Sequence, residues 1–179
     1  MSKLPKHLGG HLNTTHIDES TLDYLIQTFK IKNMYDVGCG PGEMVRLANS
    51  KNVQAIGIDG DFTIKYTDIK VILHDFTFGP LIVKPADLAW SCEFLEHVEE
   101  KYINNYFSVF KKCRVVCCTF SMSYKGHHHV NVKDQKYWDE KFKINGFTKD
   151  LESTNYIRQN SSMKRNFVRE TGTVFVNNE

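Results

Sequence analysis

No apolar run in the 179 residues approaches the roughly 18–20 that a membrane-spanning helix needs, so no membrane insertion is expected. The opening MSKLPKHLGGHLNTTHIDES has no continuous apolar stretch of the kind a secretory signal carries. Cysteine is too sparse and irregular for a disulfide framework: there are five, an odd number, without framework spacing. A reducing, cytoplasmic setting is therefore expected. Charge of one sign is also lacking. A formal net charge of +2 gives the chain as a whole no electrostatic reason to seek nucleic acid or anionic lipid, and only Arg158, Lys164, Arg165 and Arg169 form a local basic cluster. Internal repeats and low-complexity segments are absent. What is present is an ordinary globular composition, 41% hydrophobic and 25% charged, at a length that suits one domain.

Periodicity orders the elements. Leu22, Leu25, Ile26 and Phe29 recur at helical spacing behind Ser20-Thr21-Leu22-Asp23, which reads as a capping box, so a helix is predicted over 20–30. Short apolar runs at 34–37, 53–58, 69–73, 86–90 and 115–120 read as buried strands. Met44, Val45, Leu47 and Ala48 mark a helix after the first of them. Leu95, Val98, Tyr102, Tyr106 and Phe110 predict one long helix over 94–111, and Trp138 and Phe142 a helix stopped at Gly146. Phe147 opens another extended piece, 173–176 makes the last strand, and 153–170 is expected to form a helix or cap over the substrate side. Alternating strands and helices imply a Rossmann-like, doubly wound α/β sheet, mostly parallel with an antiparallel C-terminal strand and helices on both faces. Ligands of such sheets sit at the carboxyl ends of the strands.

Each strand end carries glycine or a polar side chain. The first runs into Gly38-Cys39-Gly40-Pro41-Gly42, where the third glycine of a dinucleotide fingerprint is replaced by Glu43. A carboxylate there repels a pyrophosphate. A cofactor carrying a sulfonium and an ammonium suits the strand-end acids Asp36, Asp59, Asp75 and Glu93 better. YDVGCGPGE (35–43), GIDGD (57–61), HDF (74–76) and DLAWSCEFLEHV (87–98) resemble, in order and spacing, the motifs of class I S-adenosylmethionine-dependent methyltransferases. The similarity is greatest to the small "type 11" methyltransferase-domain group and spans roughly 33–147, including HHHVNVKDQKYWDEKFKINGF at 127–147.

That resemblance implies the following roles. Asp36 faces the cofactor's ammonium, and the backbone of Gly38, Gly40 and Gly42 holds the methionyl portion. Asp59 accepts from the ribose hydroxyls, while Gly60 and Asp61 border the adenosine. Asp75 accepts from the adenine amino group beside the Phe76 backbone, and Ser91 and Cys92 end their strand near the sulfonium. Glu93 departs from the pattern and takes no role from it. The expected organisation is one methyltransferase domain: a tail or lid over 1–19, a cofactor-binding core over 20–147, and C-terminal strands with a cap segment over 148–179.

Three consecutive histidines, His127 to His129, follow the fifth strand, where an acceptor enters. A histidine is a natural base for an oxygen or nitrogen nucleophile, so His129 and His127, with His97 on the substrate side, are the candidate catalytic residues. On an extended stretch His127 and His129 share a face and His128 points the other way. His11 and His16, on the N-terminal segment with His7, and His128 are candidates for a lid or substrate contact. Three successive residues cannot easily aim at one ion, so no metal site is expected. Neighbouring Cys117 and Cys118 point to opposite sheet faces and belong with Cys113 in the core, as do Trp138 and the aromatic stripe over 102–110. The expected activity is transfer of a methyl group to an oxygen or nitrogen of a small-molecule or sugar-type acceptor. The sequence lacks the (D/N)-P-P-(Y/F) of amino-directed nucleic-acid methyltransferases and a Pro-Cys nucleophile pair. RNA or cap modification with a borrowed recognition partner stays open, as do a catalytically silent cofactor-binding subunit and a nicotinamide-dependent oxidoreductase.

Overall fold

Side-chain alternation along each strand sorts the apolar residues onto two faces, and both faces are covered. The computed structural model describes residues 3–179; Met1 and Ser2 of the expected tail lie outside the described residues. In chain order the elements are α1 (Glu19–Phe29), β1 (Asn33–Val37), α2 (Glu43–Ser50), β2 (Gln54–Asp59), β3 (Lys70–Leu73), β4 (Ala86–Ser91), α3 (Ile103–Phe110), β5 (Cys113–Cys118), α4 (Gln135–Ile144), β6 (Phe147–Lys149), α5 (Leu151–Asn160), α6 (Phe167–Thr171) and β7 (Thr173–Asn177). One seven-stranded sheet has the order β3-β2-β1-β4-β5-β7-β6. β7 alone runs against the rest, antiparallel to both β5 and β6. No helix among the described residues is long and apolar enough to cross a membrane.

Tyr35, Val37, Ala89, Val116 and Cys118 point to one face, where Tyr106, Phe107 and Phe110 of α3 and Trp138 and Phe142 of α4 cover them. Met34, Leu88, Trp90, Val115 and Cys117 point to the other, under α1, α2, α5 and α6. Phe142 stacks flat on Phe175 of β7 at 3.9 Å between ring centroids, which pins α4 to the antiparallel end of the sheet. β1 pairs in parallel with β2 on one side and with β4 on the other; the order reverses between β1 and β4, and this switch point opens the crevice at their carboxyl ends.

The structure corrects four local expectations. The predicted helix over 94–111 is two short 3-10 turns, Leu95–His97 and Glu100–Tyr102, followed by α3. The Glu96 carbonyl accepts from both Val130 N and Asn131 N at 3.0 Å, so the acceptor a continuous helix needs at that point is taken by a distant segment. The stretch 127–129 is not extended, because His128 is left-handed with φ 51°. Residues 153–170 form α5 and α6, whose Ile157 and Val168 pack into the core, so this segment is mainly a sheet cover and only partly a cap.

The first helix is capped by Asp18 rather than by a box beginning at Ser20, since Asp18 Oδ1 accepts from Thr21 N at 3.0 Å. Asp18 is fully buried and also accepts from Ser20 Oγ, Ser161 Oγ, Ser162 N and Ser162 Oγ, which ties the start of α1 to the loop after α5. Asp18→Ala removes a cap and orphans several donors. A loss of about 3 kcal/mol of unfolding free energy in urea titration is expected, and a change under about 0.5 kcal/mol would contradict this role.

Candidate functional site

At the carboxyl end of β1 the chain must turn sharply while staying close to β2. Gly38 and Gly40 do so with φ of 78° and 49°. A Cβ on Gly38 would lie 2.5 Å from the Phe94 ring, so a side chain there would push into the β4 loop. Asp59, at the end of β2, secures the turn: Oδ2 accepts from Gly40 N at 2.7 Å and Oδ1 from Asp61 N at 2.8 Å. Gly42 is the left-handed residue that begins α2.

Asp36 is buried and its Oδ2 has no hydrogen-bond partner among the described residues. Burial, reinforced by the charge of Asp59, pushes its carboxyl up to about 8. An acid so placed is poised for a cation. Asp75 accepts from Thr77 N at 2.8 Å and from His7 Nε2 at 2.7 Å, and Asp61 accepts from Thr63 and from His11 Nε2 at 3.0 Å. Burial raises both carboxyls, but these hydrogen bonds outweigh it and leave them below the ordinary range. Phe76 is buried edge-on against Phe94 and Tyr106.

These residues border a cavity of about 620 Å³, one wall of which is formed by His7–Leu12 of the N-terminal segment. Of the strand-end residues singled out in the sequence, Asp36, Gly38, Asp59, Asp75, Phe76, Cys92 and Glu93 line it. All the candidate catalytic and lid histidines line it as well. Gly40, Gly42, Gly60 and Asp61 stand behind that lining. Ser91 is fully buried and donates from Oγ to the Val37 carbonyl at 2.9 Å, tying β4 to β1. Cys92 keeps its proton, its thiol pushed well up by burial.

The 3-10 turn that replaces the predicted helix aims two further groups into the same cavity. Glu96 is fully buried, and neither carboxylate oxygen has a partner among the described residues. Burial, together with the neighbouring Glu93, pushes its carboxyl up. Glu93 is pushed up as well, mainly by burial, and accepts from Thr119 Oγ at 2.9 Å. His97 is held down to about 4 by burial and by His129, so it is a neutral imidazole with a lone pair at physiological pH; its Nδ1 is unpartnered. His129 packs edge-on against His97 at 4.9 Å, and its Nδ1 donates to the Ser123 carbonyl at 2.5 Å, which leaves Nε2 as the acceptor nitrogen.

One ligand atom from each of Glu96, His97 and His129 lies within 4.8 Å of the others, a set able to hold a metal ion. Of the histidine triplet only His129 takes part in this set, and the other two members come from the β4 loop. Two unsatisfied oxygens of the buried Glu96 carboxyl, beside two imidazoles each with a nitrogen able to donate an electron pair, fit a divalent cation. Glu96 and His97 are adjacent in the sequence, but nothing local joins them to His129. His127 instead bonds through Nε2 to the Leu8 carbonyl at 2.9 Å, and the His128 ring lies 6.1 Å from that of His7. His16 packs edge-on against Phe167 at 5.0 Å, and burial, then the Arg165 charge, lowers its pKa.

Neither a family model nor a curated protein matches this chain. Solved structures do. A SAM dependent methyltransferase from Archaeoglobus fulgidus is 19% identical, with 73% of this chain and 67% of that one covered at a TM-score of 0.54. The methyltransferase domain of bacterial CtHen1 is 15% identical, covers 88% of this chain and 96% of its own, and has a TM-score of 0.58. The magnesium protoporphyrin IX methyltransferase of Synechocystis PCC 6803, solved with bound SAM, is 14% identical over 88% of this chain and 77% of its own, with a TM-score of 0.56. The fold is that of the class I S-adenosylmethionine-dependent methyltransferases.

Proposed function

We propose that the chain is an S-adenosylmethionine-dependent methyltransferase acting on a hydroxyl of a sugar-type acceptor, with a divalent cation held by Glu96, His97 and His129. One observation carries this reading: Asp36, with an unpartnered Oδ2 behind the glycine turn, and the Glu96–His97–His129 set, with unpartnered Glu96 oxygens and His97 Nδ1, face the same cavity. Asp36 takes the cofactor's ammonium, Asp59 the ribose and Asp75 the adenine amino group, in the roles the resemblance implies. Gly38 and Gly40 bring backbone close to the methionyl chain. The sulfonium then lies toward Cys92, and the acceptor approaches from the side of His129.

A divalent cation bound there supplies Lewis-acid polarisation of the acceptor hydroxyl. The acceptor oxygen attacks the methyl carbon in line, a new C–O bond forms, and the sulfur–methyl bond breaks with its electron pair going to sulfur. The hydroxyl proton leaves to the rim, where a ring nitrogen of His127 accepts it. His129 and His97 thus serve as ligands rather than as the base. A cation held by Glu96, His97 and His129 would favour an acceptor rich in hydroxyl oxygens, as a sugar is.

RNA, which presents the same ribose hydroxyls, is a second reading favoured by Lys125 and Arg165 on the cavity rim. The test is labelled methyl transfer to nucleosides, free sugars and short RNAs, with Mn²⁺ or Mg²⁺ and with chelator. Cation-dependent labelling of a hydroxyl supports the proposal; equal transfer in chelator, or transfer to nitrogen alone, overturns the cation's part. Cofactor binding without any transfer favours the silent-subunit reading, and tight NAD binding without S-adenosylhomocysteine binding favours the oxidoreductase.

Asp36 adds a pH dependence. Its folded pKa is raised, so the free protein holds the proton at neutral pH and must release it to receive an ammonium. Affinity for S-adenosylhomocysteine is expected to rise about tenfold per pH unit from 6 to 8 and then level off. Asp36→Asn should bind weakly with a flat profile, and an unchanged profile in calorimetry would remove Asp36 from this role.

A further inference from the structure

The N-terminal segment does more than border the cavity; its side chains stand on the positions assigned to the adenosine. His7 Nε2 donates to Asp75 Oδ2 at 2.7 Å, and the other Asp75 oxygen is engaged by Thr77 N, so both oxygens already have partners. Leu8 covers Gly60 closely enough that a Cβ there would lie 2.6 Å from Leu8 Cδ2. His11 sits on Gly40, where a Cβ would lie 2.9 Å from its own, and reaches Asp61 at 3.0 Å. The Leu8 carbonyl is tied across the cavity to His127, and Gly10 lies flush on the His97 ring.

Little holds this segment to itself. Its backbone bonds are three isolated turns, Leu8 N to Pro5 O, Leu12 N to Gly9 O and Thr14 N to His11 O, without a ladder to any strand. Immediately behind it Leu12 and Asn13 are both left-handed, at φ 47° and 57°, and for leucine that conformation is strained. Leu12 is also exposed, so no packing compensates. A segment fastened by side chains, backed by a strained pair, is suited to leave as a unit.

We propose that residues 7–11 form an autoinhibitory strap that mimics the adenosine's contacts on Asp75, Gly60 and Asp61 and must be displaced before the cofactor seats. This rests on the reading of Asp75 and Gly60 as adenosine contacts. His7 stands in for the adenine amino group as the donor to Asp75, and Leu8 stands in for the apolar face of the nucleoside. The cofactor's observed affinity is then its intrinsic affinity reduced by the fraction of molecules with the strap released.

The experiment is calorimetric titration of S-adenosylhomocysteine into the full chain, a chain lacking residues 1–12, and the double variant His7→Ala, His11→Ala. Hydrogen exchange over 3–15 is followed with and without ligand. Binding on the order of tenfold tighter in the truncated chain is expected, with a smaller gain in the double variant and faster strap exchange on ligand addition. Truncated and double-variant chains that bind equally or more weakly, or a strap that exchanges more slowly with ligand, would show a closing lid and overturn the proposal. The double variant guards against a truncation that fails to fold. Absence of binding in all three chains would instead strike the methyltransferase reading, and the strap proposal would fall with it.

Discussion

Asp59→Ala is expected to weaken S-adenosylhomocysteine binding by about two to three orders of magnitude, the largest effect of any single change at the cofactor end. A carboxylate accepting from two ribose hydroxyls contributes about 1.5–3 kcal/mol per hydrogen bond, so losing both costs about 3–4 kcal/mol after partial compensation by water. A second cost adds to the first. Asp59 Oδ2 also fixes Gly40 N, and without it the glycine turn loses the bond that holds its backbone toward the methionyl chain. Asp59→Asn keeps the shape and one acceptor, and a loss nearer tenfold is expected. Calorimetry on the three proteins, with hydrogen exchange at 38–42 as a monitor of the turn, separates the two contributions. If Asp59→Ala binds within about threefold of wild type, Asp59 is only a turn-former.

The second large effect belongs to the other end of the cavity. His129→Ala is expected to lower cation-stimulated methyl transfer by about two orders of magnitude or more while leaving S-adenosylhomocysteine affinity within about twofold. Glu96→Gln should do the same to turnover and carries an independent readout. Wild type pays a desolvation penalty for an unsatisfied carboxylate buried beside Glu93, and a neutral amide of the same shape relieves it. The Glu96→Gln protein is therefore expected to melt at the same or a higher temperature than wild type in chelator. Wild type alone should gain several degrees on addition of Mn²⁺. A Glu96→Gln protein that is less stable in chelator, or that gains as much from Mn²⁺ as wild type, would mean that the cluster is a structural polar network.

The strands and the glycine turn were legible because their signals are local. Each buried strand is a short apolar run, and Gly38 and Gly40 sit where the backbone must turn left-handed at the end of β1. Asp36, Asp59 and Asp75 were legible as a set because three parallel strands end at one edge. The 94–111 region misled because its apolar spacing is helical, yet the Glu96 carbonyl is captured by Val130 and Asn131, more than thirty residues away. The same capture brings His129 to His97, so the metal-competent set could not be seen without tertiary structure. GHHHV carried no local sign that His128 would turn left-handed and split the triplet into three fates: a tie to Leu8, a neighbour of His7 and a partner of His97. Asp18 and Ser20 make equally good local cap patterns; the bonds Asp18 accepts from Ser161 and Ser162 decide between them.

β7 follows β6 in the chain yet lies between β5 and β6. On a ribosome, a nascent chain that has not yet emerged past Thr173 has a bare β5 edge, a β6 with nothing to pair with and a Phe142 ring without its Phe175 partner. Closure of the sheet is thereby deferred until β7 has emerged, and until then the bare β5 edge is open to wrong pairing.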